Sequence, residues 1–146
     1  MTQEDKELLL RDLCSRLPYD VKCKIEMWIG YDVCTIYNIN SIGFVEIVED
    51  YDTNGVNIEK IKPYLFPLSS MTEEQKKEIS KRYNYHNYYG TRIEITYHSE
   101  GYWDNDTSCN LQDYLWLEDW YNKNHFDYRG LIEKGLAIDA TNLNIY

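Results

Sequence analysis

Residues 22–29 constrain the fold of this chain more than any other stretch. Cys23, Ile25, Met27 and Ile29 alternate with Lys22, Lys24, Glu26 and Trp28, and a period of two puts each set on its own face of an extended strand. Such a strand needs neighbours to pair with and a layer to cover its apolar face. The N-terminal half is therefore predicted to form an antiparallel sheet with something packed on one side.

The neighbours follow along the chain. Gly30-Tyr31-Asp32 supplies a turn into a second strand from about Val33 to Ile39. A third runs through Phe44–Val48, and a short fourth through Val56–Ile58 after a loop ending in Asn54-Gly55. The covering layer is predicted upstream, where Leu9, Leu10, Leu13, Cys14 and Leu17 recur at helical spacing behind a Thr2/Asp5 cap pair and ahead of Pro18.

Downstream, Pro63 and Pro67 frame a segment, Lys62 to Ser70, that reads as an irregular connector. Ser70 with Glu73 and Thr72 with Gln75 both have capping-box spacing, which predicts a helix running to about Tyr83. Thr91–His98 alternates as a later strand, Gly101–Asn110 reads as a polar loop, and Leu111–Asn124 as a third helix. A short turn or helix is expected over Gly130–Gly135. The expectation is one α+β domain over residues 1–146: a small antiparallel sheet, a meander of three to four strands plus a later strand, packed with three helices.

A chain of 146 residues buries a core without metal or disulfide staples. Cys14, Cys23, Cys34 and Cys109 lack CxxC spacing and read as buried thiols of a reducing, cytoplasmic setting. The start is polar and acidic, and no apolar run approaches the ~20 residues of a membrane span. The formal net charge of −10 repels phosphate, which disfavours non-specific nucleic-acid and anionic-membrane binding. The 15 tyrosines match the codon bias of an AT-rich gene and carry no functional weight.

Four patterns bear on function. Asp50, Asp52 and Asn54 with Gly55 match the first half of a calcium loop, but Ile61 stands where a bidentate Glu is needed, so a hairpin loop is the expected reading. The loop Asp104–Asn110 shows similar acid spacing with Cys109 at the glycine position. The segment 76–92 interleaves basic and aromatic residues, with Lys77, Lys81, Arg82, Tyr85, His86, Tyr88 and Arg92 as candidate contacts for single-stranded nucleic acid. Finally, Glu94, Glu100, Asp104, Asp106, Asp113, Glu118 and Asp119 fall between Ile93 and Tyr121 without a Lys or Arg, and Glu46, Glu49, Asp50, Asp52 and Glu59 cluster similarly. Acids set among aromatics can present a phosphate-like surface to a basic groove on another protein.

Catalytic and metal signatures are scarce. His86, His98 and His125 have no ligand spacing, and no phosphate loop, nucleophile elbow or HExxH appears. His125, Asp127 and Arg129 alternate and could share one side of an extended segment. The favoured reading gives them structural work, with His125 at the helix end and the other two holding the next turn. No cofactor, metal or enzymatic activity is expected. Trp116, Trp120, Phe126 and Tyr128 read as the aromatic anchor of the last helix.

Three segments, Lys6-Glu-Leu-Leu-Leu-Arg-Asp-Leu-Cys-Ser-Arg-Leu-Pro18, Ile61-Lys-Pro-Tyr-Leu-Phe-Pro-Leu-Ser-Ser-Met-Thr72 and Asn124-His-Phe-Asp-Tyr-Arg-Gly-Leu-Ile-Glu-Lys-Gly-Leu-Ala-Ile-Asp139, resemble a family of small uncharacterised proteins abundant in gut Bacteroidales, their phages and mobile elements. The stretch from about Tyr83 to Asp113 departs most from that pattern. The resemblance carries over no catalytic residues. It implies a cytosolic protein in a setting where small acidic proteins act on host defence machinery. The functional expectation is thus a protein-binding module with an acidic, aromatic-rich surface, possible host targets being a defence nuclease or effector, with nucleic-acid binding through residues 76–92 as the alternative.

Overall fold

The structure, a computed structural model, describes residues 1–26, 33–40, 43–48, 55–86, 95–97, 103–105 and 111–146. Helix α1 spans Gln3–Arg16. The Thr2/Asp5 pair starts it with a complete capping box, Asp5 N–H donating to Thr2 Oγ1 at 3.1 Å and Thr2 N–H to Asp5 Oδ2 at 3.2 Å. Those bonds to Thr2 hold the Asp5 carboxyl below its ordinary range. A 3-10 turn over Leu17–Tyr19 carries Pro18, and Asp20 at φ 52° redirects the chain into the sheet.

Strands β1 (Lys22–Ile25), β2 (Cys34–Ile39), β3 (Phe44–Ile47) and β4 (Val56–Asn57) form the expected antiparallel meander. A bulge at Tyr37 lies between the Ile36/Ile47 and Asn38/Glu46 pairs. It lets Ile36 face the core on one side of the irregularity and Ile39 pack against it on the other. Gly55, at φ 62°, brings the backbone so close to β3 that a Cβ there would stand 3.3 Å from the Phe44 Cβ.

The largest departure from expectation is residues 61–67. This stretch is not an irregular connector but β5 (Ile61–Pro67), antiparallel to β1. The Glu26 N–H bond to the Lys60 carbonyl (3.0 Å), with Ile25 opposite Ile61, sets the ladder's alternation. Lys24/Lys62 is a hydrogen-bonded pair and Cys23/Pro63 a non-bonded one. Pro63 thus sits where its missing N–H costs no bond to β1, and Pro67 ends the strand.

After β5 come α2 (Glu73–His86), the hairpin strands β6 (Ile95–Tyr97) and β7 (Trp103–Asn105), α3 (Leu111–Lys123), β8 (Phe126–Asp127) and β9 (Ile138–Asp139). Of the two candidate boxes before α2, Thr72/Gln75 forms, with Thr72 N–H on Gln75 Oε1 at 2.9 Å. The Ser70 hydroxyl donates instead to the Pro67 carbonyl. Part of the expected polar loop after Gly101 is β7, which pairs β6 apart from the main sheet. Both β8 and β9 join β5 in parallel, so the sheet is mixed and, among the described residues, seven-stranded, larger than a pure meander. The fold is α+β with three α-helices among the described residues.

Two apolar cores share β5. The first packs Leu9 and Leu13 of α1 on Cys23, Ile25, Cys34, Ile36, Val45, Ile47, Ile61 and Leu65. The second gathers Met71, Ile79, Trp120, Tyr121 and Phe126 around Phe66 and Leu68, with Trp116 and Tyr128 at its margin, so the aromatic anchor forms as expected. Trp120 stacks on Phe126 with centroids 5.7 Å apart. Cys23 and Cys34 are buried opposite each other, whereas Cys14 is exposed, correcting its assignment to the apolar stripe. Cys109 and the Asp50–Asn54 loop lie outside the described residues.

Leu65 is fully buried, so Leu65→Ala should cost about 2–5 kcal/mol in urea unfolding. Tyr37→Ala, at a site 53% exposed, should stay within about 0.5 kcal/mol.

Candidate functional site

The charged residues that matter most to this structure begin with Asp12 and Arg16, one turn apart on the buried face of α1. Both side chains are fully buried. Arg16 grips Asp12 with two bonds, Nε to Oδ2 at 2.7 Å and Nη2 to Oδ1 at 3.0 Å, and Nη2 also donates to the Phe126 carbonyl at 2.8 Å. Arg129 extends the cluster: Nη1 lies 3.5 Å from Asp12 Oδ1 and 3.1 Å from Ser15 Oγ, and Nη2 donates to Glu118 Oε1 at 2.5 Å. Tyr128 lies between the cations, its ring centroid 5.6 Å from the Arg16 guanidinium carbon and 4.7 Å from that of Arg129. Its hydroxyl is 3.1 Å from both Glu118 Oε1 and Asn122 Oδ1. Burial pushes this phenol up to about 12, with Arg129 opposing the rise and Glu118 adding to it. Two guanidiniums face two carboxylates, so the formal charges cancel.

This cluster takes one of the expected acidic-surface residues, Glu118, out of the set that faces solvent alone. Asp119 is exposed and accepts the hydroxyl of Tyr19; that bond, ahead of burial, raises the Tyr19 pKa. Asp113 lies in the first turn of α3 and Asp104 in β7, while Glu94, Glu100 and Asp106 are outside the described residues. Beside Asp119 the helix exposes two large apolar side chains that the sequence reading had not singled out. Tyr114 and Leu115 are each 56% exposed, and Leu115, Asp119 and Lys123 are exposed on successive turns.

On α2, Lys77 and Lys81 are exposed one turn apart. Arg82, Tyr85 and His86 belong to the last turns of the same helix, and Tyr88 and Arg92 fall outside the described residues. Lys76 pairs with Glu73 at 2.7 Å.

The alternating His125, Asp127 and Arg129 each have a separate structural task. His125 is left-handed at φ 57° and ends α3, its N–H on the Asn122 carbonyl. Asp127 accepts the N–H groups of Leu131 (2.9 Å) and Ile132 (2.7 Å), holding the 130–135 turn. Arg129 belongs to the charged cluster. The Nδ1 of His125 is buried without a hydrogen-bond partner. Burial, then Arg16 and Lys22, lowers this imidazole to about 4, so it is neutral at pH 7.

A cleft of about 560 Å³ opens beside the start of α1, with Asp5, Glu26 and Glu59 facing Lys62 and Lys134 above Leu136. Its charges pair across it, Lys62 with Glu26 at 3.3 Å and Lys134 with Asp5 at 4.0 Å. Among the described residues no group of three His, Cys, Asp or Glu side chains is arranged to hold a metal ion, and no helix is long and apolar enough to cross a membrane.

Asp12 and Arg16 were missed because charged residues on a helix are expected in solvent. The available signal was their phase: they share the helical face of Leu9 and Leu13.

Arg16→Met leaves the buried Asp12 with only its longer, 3.5 Å contact to Arg129 and should cost about 3–5 kcal/mol in denaturant unfolding. Adding Asp12→Leu should recover at least half of that, because the poorly compensated buried charge goes with it. The His125 prediction concerns pH. Above about 6.5 the imidazole is neutral folded or unfolded and makes no difference to stability. As pH falls towards 4 the unfolded chain binds a proton that the folded chain refuses, so stability drops by up to about 1.4 kcal/mol per unit. Below the folded value the loss stops growing. His125→Asn, which tolerates left-handed backbone, should lack this component, and the wild-type-minus-variant unfolding free energy should fall between pH 6.5 and 4.

No protein-family model, curated protein or solved structure matches this chain.

Proposed function

We propose that this protein works by binding rather than catalysis, and that its partner is a basic surface on another protein. The observation that carries the reading is the adjacent pair Tyr114 and Leu115, each 56% exposed on a helix whose sequence from Leu111 to Asn122 carries acids and no cation. An exposed apolar pair with the exposed carboxylate of Asp119 one turn on suits a partner with a hydrophobic pocket beside a positive charge: the apolar contact supplies affinity, and the negative charge supplies orientation and encounter rate. The net charge of −10 strengthens that steering. The charged cluster supports the same reading mechanically, because Glu118, Asn122 and Tyr128 fasten α3 from beneath and leave its outer face rigid. Rigid presentation lowers the ordering cost of association. Inhibition of a host defence nuclease or effector by a phage or mobile-element protein is the setting suggested by the family resemblance.

A second reading, binding of single-stranded nucleic acid, is favoured by the exposed Lys77 and Lys81 on α2. It requires a gel shift at ~50 mM salt, where phosphate contacts are strongest.

Tyr114→Ala with Leu115→Ala should leave the melting temperature within a few degrees of wild type. The same change should weaken a partner captured from host lysate by at least about tenfold. Capture should also decline as salt rises, because exposed charges are screened. Recovery of no partner even at low salt, or capture indifferent to the double substitution, would overturn the proposal.

A further inference from the structure

The sheet has a gap in its hydrogen bonding, and a tyrosine side chain fills it. Along the β1/β5 ladder, Lys22 and Tyr64 are due to be the next hydrogen-bonded pair after Lys24/Lys62. The Lys22 N–H instead donates to the Tyr146 hydroxyl at 3.0 Å, and that hydroxyl donates to the Tyr64 carbonyl at 2.9 Å. The phenol oxygen is inserted into the ladder as a relay. Its ring lies on the imidazole of His125, centroids 3.7 Å apart and planes 12° from parallel, with Phe66 at 5.9 Å on a tilted approach.

The requirements of this notch are narrow. Its deep end needs one group that both accepts from an N–H and donates to a C=O, which a hydroxyl does and neither a carboxylate nor an ammonium can do. Its walls need a flat ring. The segment that delivers the occupant runs over the surface. Residues 141–144 are exposed, residues 141–146 belong to no helix or strand, Asn144 is left-handed at φ 50°, and Tyr146 keeps 43% of its surface in solvent. Segments of this kind open locally at small free-energy cost.

We propose that the notch between β1 and β5 is a phenol-binding site, filled in cis by Tyr146 and able to accept a phenol in trans when Tyr146 withdraws. This does not depend on the acidic face of α3. The chemistry recognised is an aromatic ring bearing a hydroxyl, whether on a small molecule or on another chain's tyrosine.

The test uses Tyr146→Ala in the full chain with p-cresol as the probe, and toluene and 4-methylanisole as ligands that lack a donating hydroxyl. The variant should melt below wild type, and p-cresol should restore the loss by binding the folded state. Both controls should need roughly tenfold higher concentration for the same shift. p-Cresol should move the His125 ring resonances in the variant and leave them in place in wild type, where the notch is full. N-acetyl-tyrosine amide against p-cresol separates the two sources: tighter binding of the former assigns the site to a peptide tyrosine, tighter binding of the latter to a small phenol. Equal rescue by toluene, no rescue by any probe, or equal p-cresol binding to wild type would each overturn the proposal. If the variant does not fold alone, refolding with p-cresol but not toluene supports it, and refolding with neither overturns it.

Discussion

The bidentate pair between Arg16 and Asp12 is the contact on which the rest of the molecule depends. It is fully buried, so both charges have lost their water and can persist only because each finds its partners in the protein. The Arg16 bond to the Phe126 carbonyl places the end of α3 against α1. Through Arg129, the same cluster then reaches Ser15 and Glu118. Two parts of the chain more than a hundred residues apart in sequence are held in one relative position by directional bonds. Hydrophobic burial alone would tolerate sliding between them, since it has no direction.

Strand β5 is the mechanical complement of that cluster. Leu65 faces the core under α1, and Phe66 faces the core between α2 and α3. The parallel additions of β8 and β9 sit on the same strand, so the C-terminal segment returns to the middle of the fold. One consequence is that Tyr146 arrives at the β1/β5 junction, where a hydroxyl takes the place of a direct backbone bond. The other is that α3 is braced from below and presents Tyr114 and Leu115 outward.

Much of this was legible in the sequence because it rests on local rules. Alternation at Lys22–Ile25 and Phe44–Ile47 located strands, and the Thr2/Asp5 and Thr72/Gln75 spacings located helix starts that form their capping bonds as expected. The reading failed at β5 because two prolines argue against a strand. Pro63 is harmless there for a reason that only the partner strand supplies, the alternation of bonded and non-bonded pairs against β1. It failed at α1 in the opposite way. Asp12 and Arg16 have no signal in composition, and their burial depends on Arg129, Tyr128 and the Phe126 carbonyl meeting them from the far end of the chain. At the candidate interface, the acid cluster was visible as a charge run, yet Glu118 is tied to Arg129, and the exposed pair beside it emerged only from the packing of α3.

By itself the sequence determined the α+β class, the antiparallel meander, the three helices and the acidic character, since periodicity, capping and net charge act within a few residues or summed over all of them. Only the tertiary structure decided which charges are interior, that β5 is a strand shared by two cores, and that a tyrosine from the end of the sequence completes the ladder between β1 and β5. Those outcomes depend on partners distant in sequence, β1 for Pro63 and the C-terminal segment for Asp12, Arg16 and Lys22, and whether a buried charge or a proline is tolerated is settled by what stands opposite it.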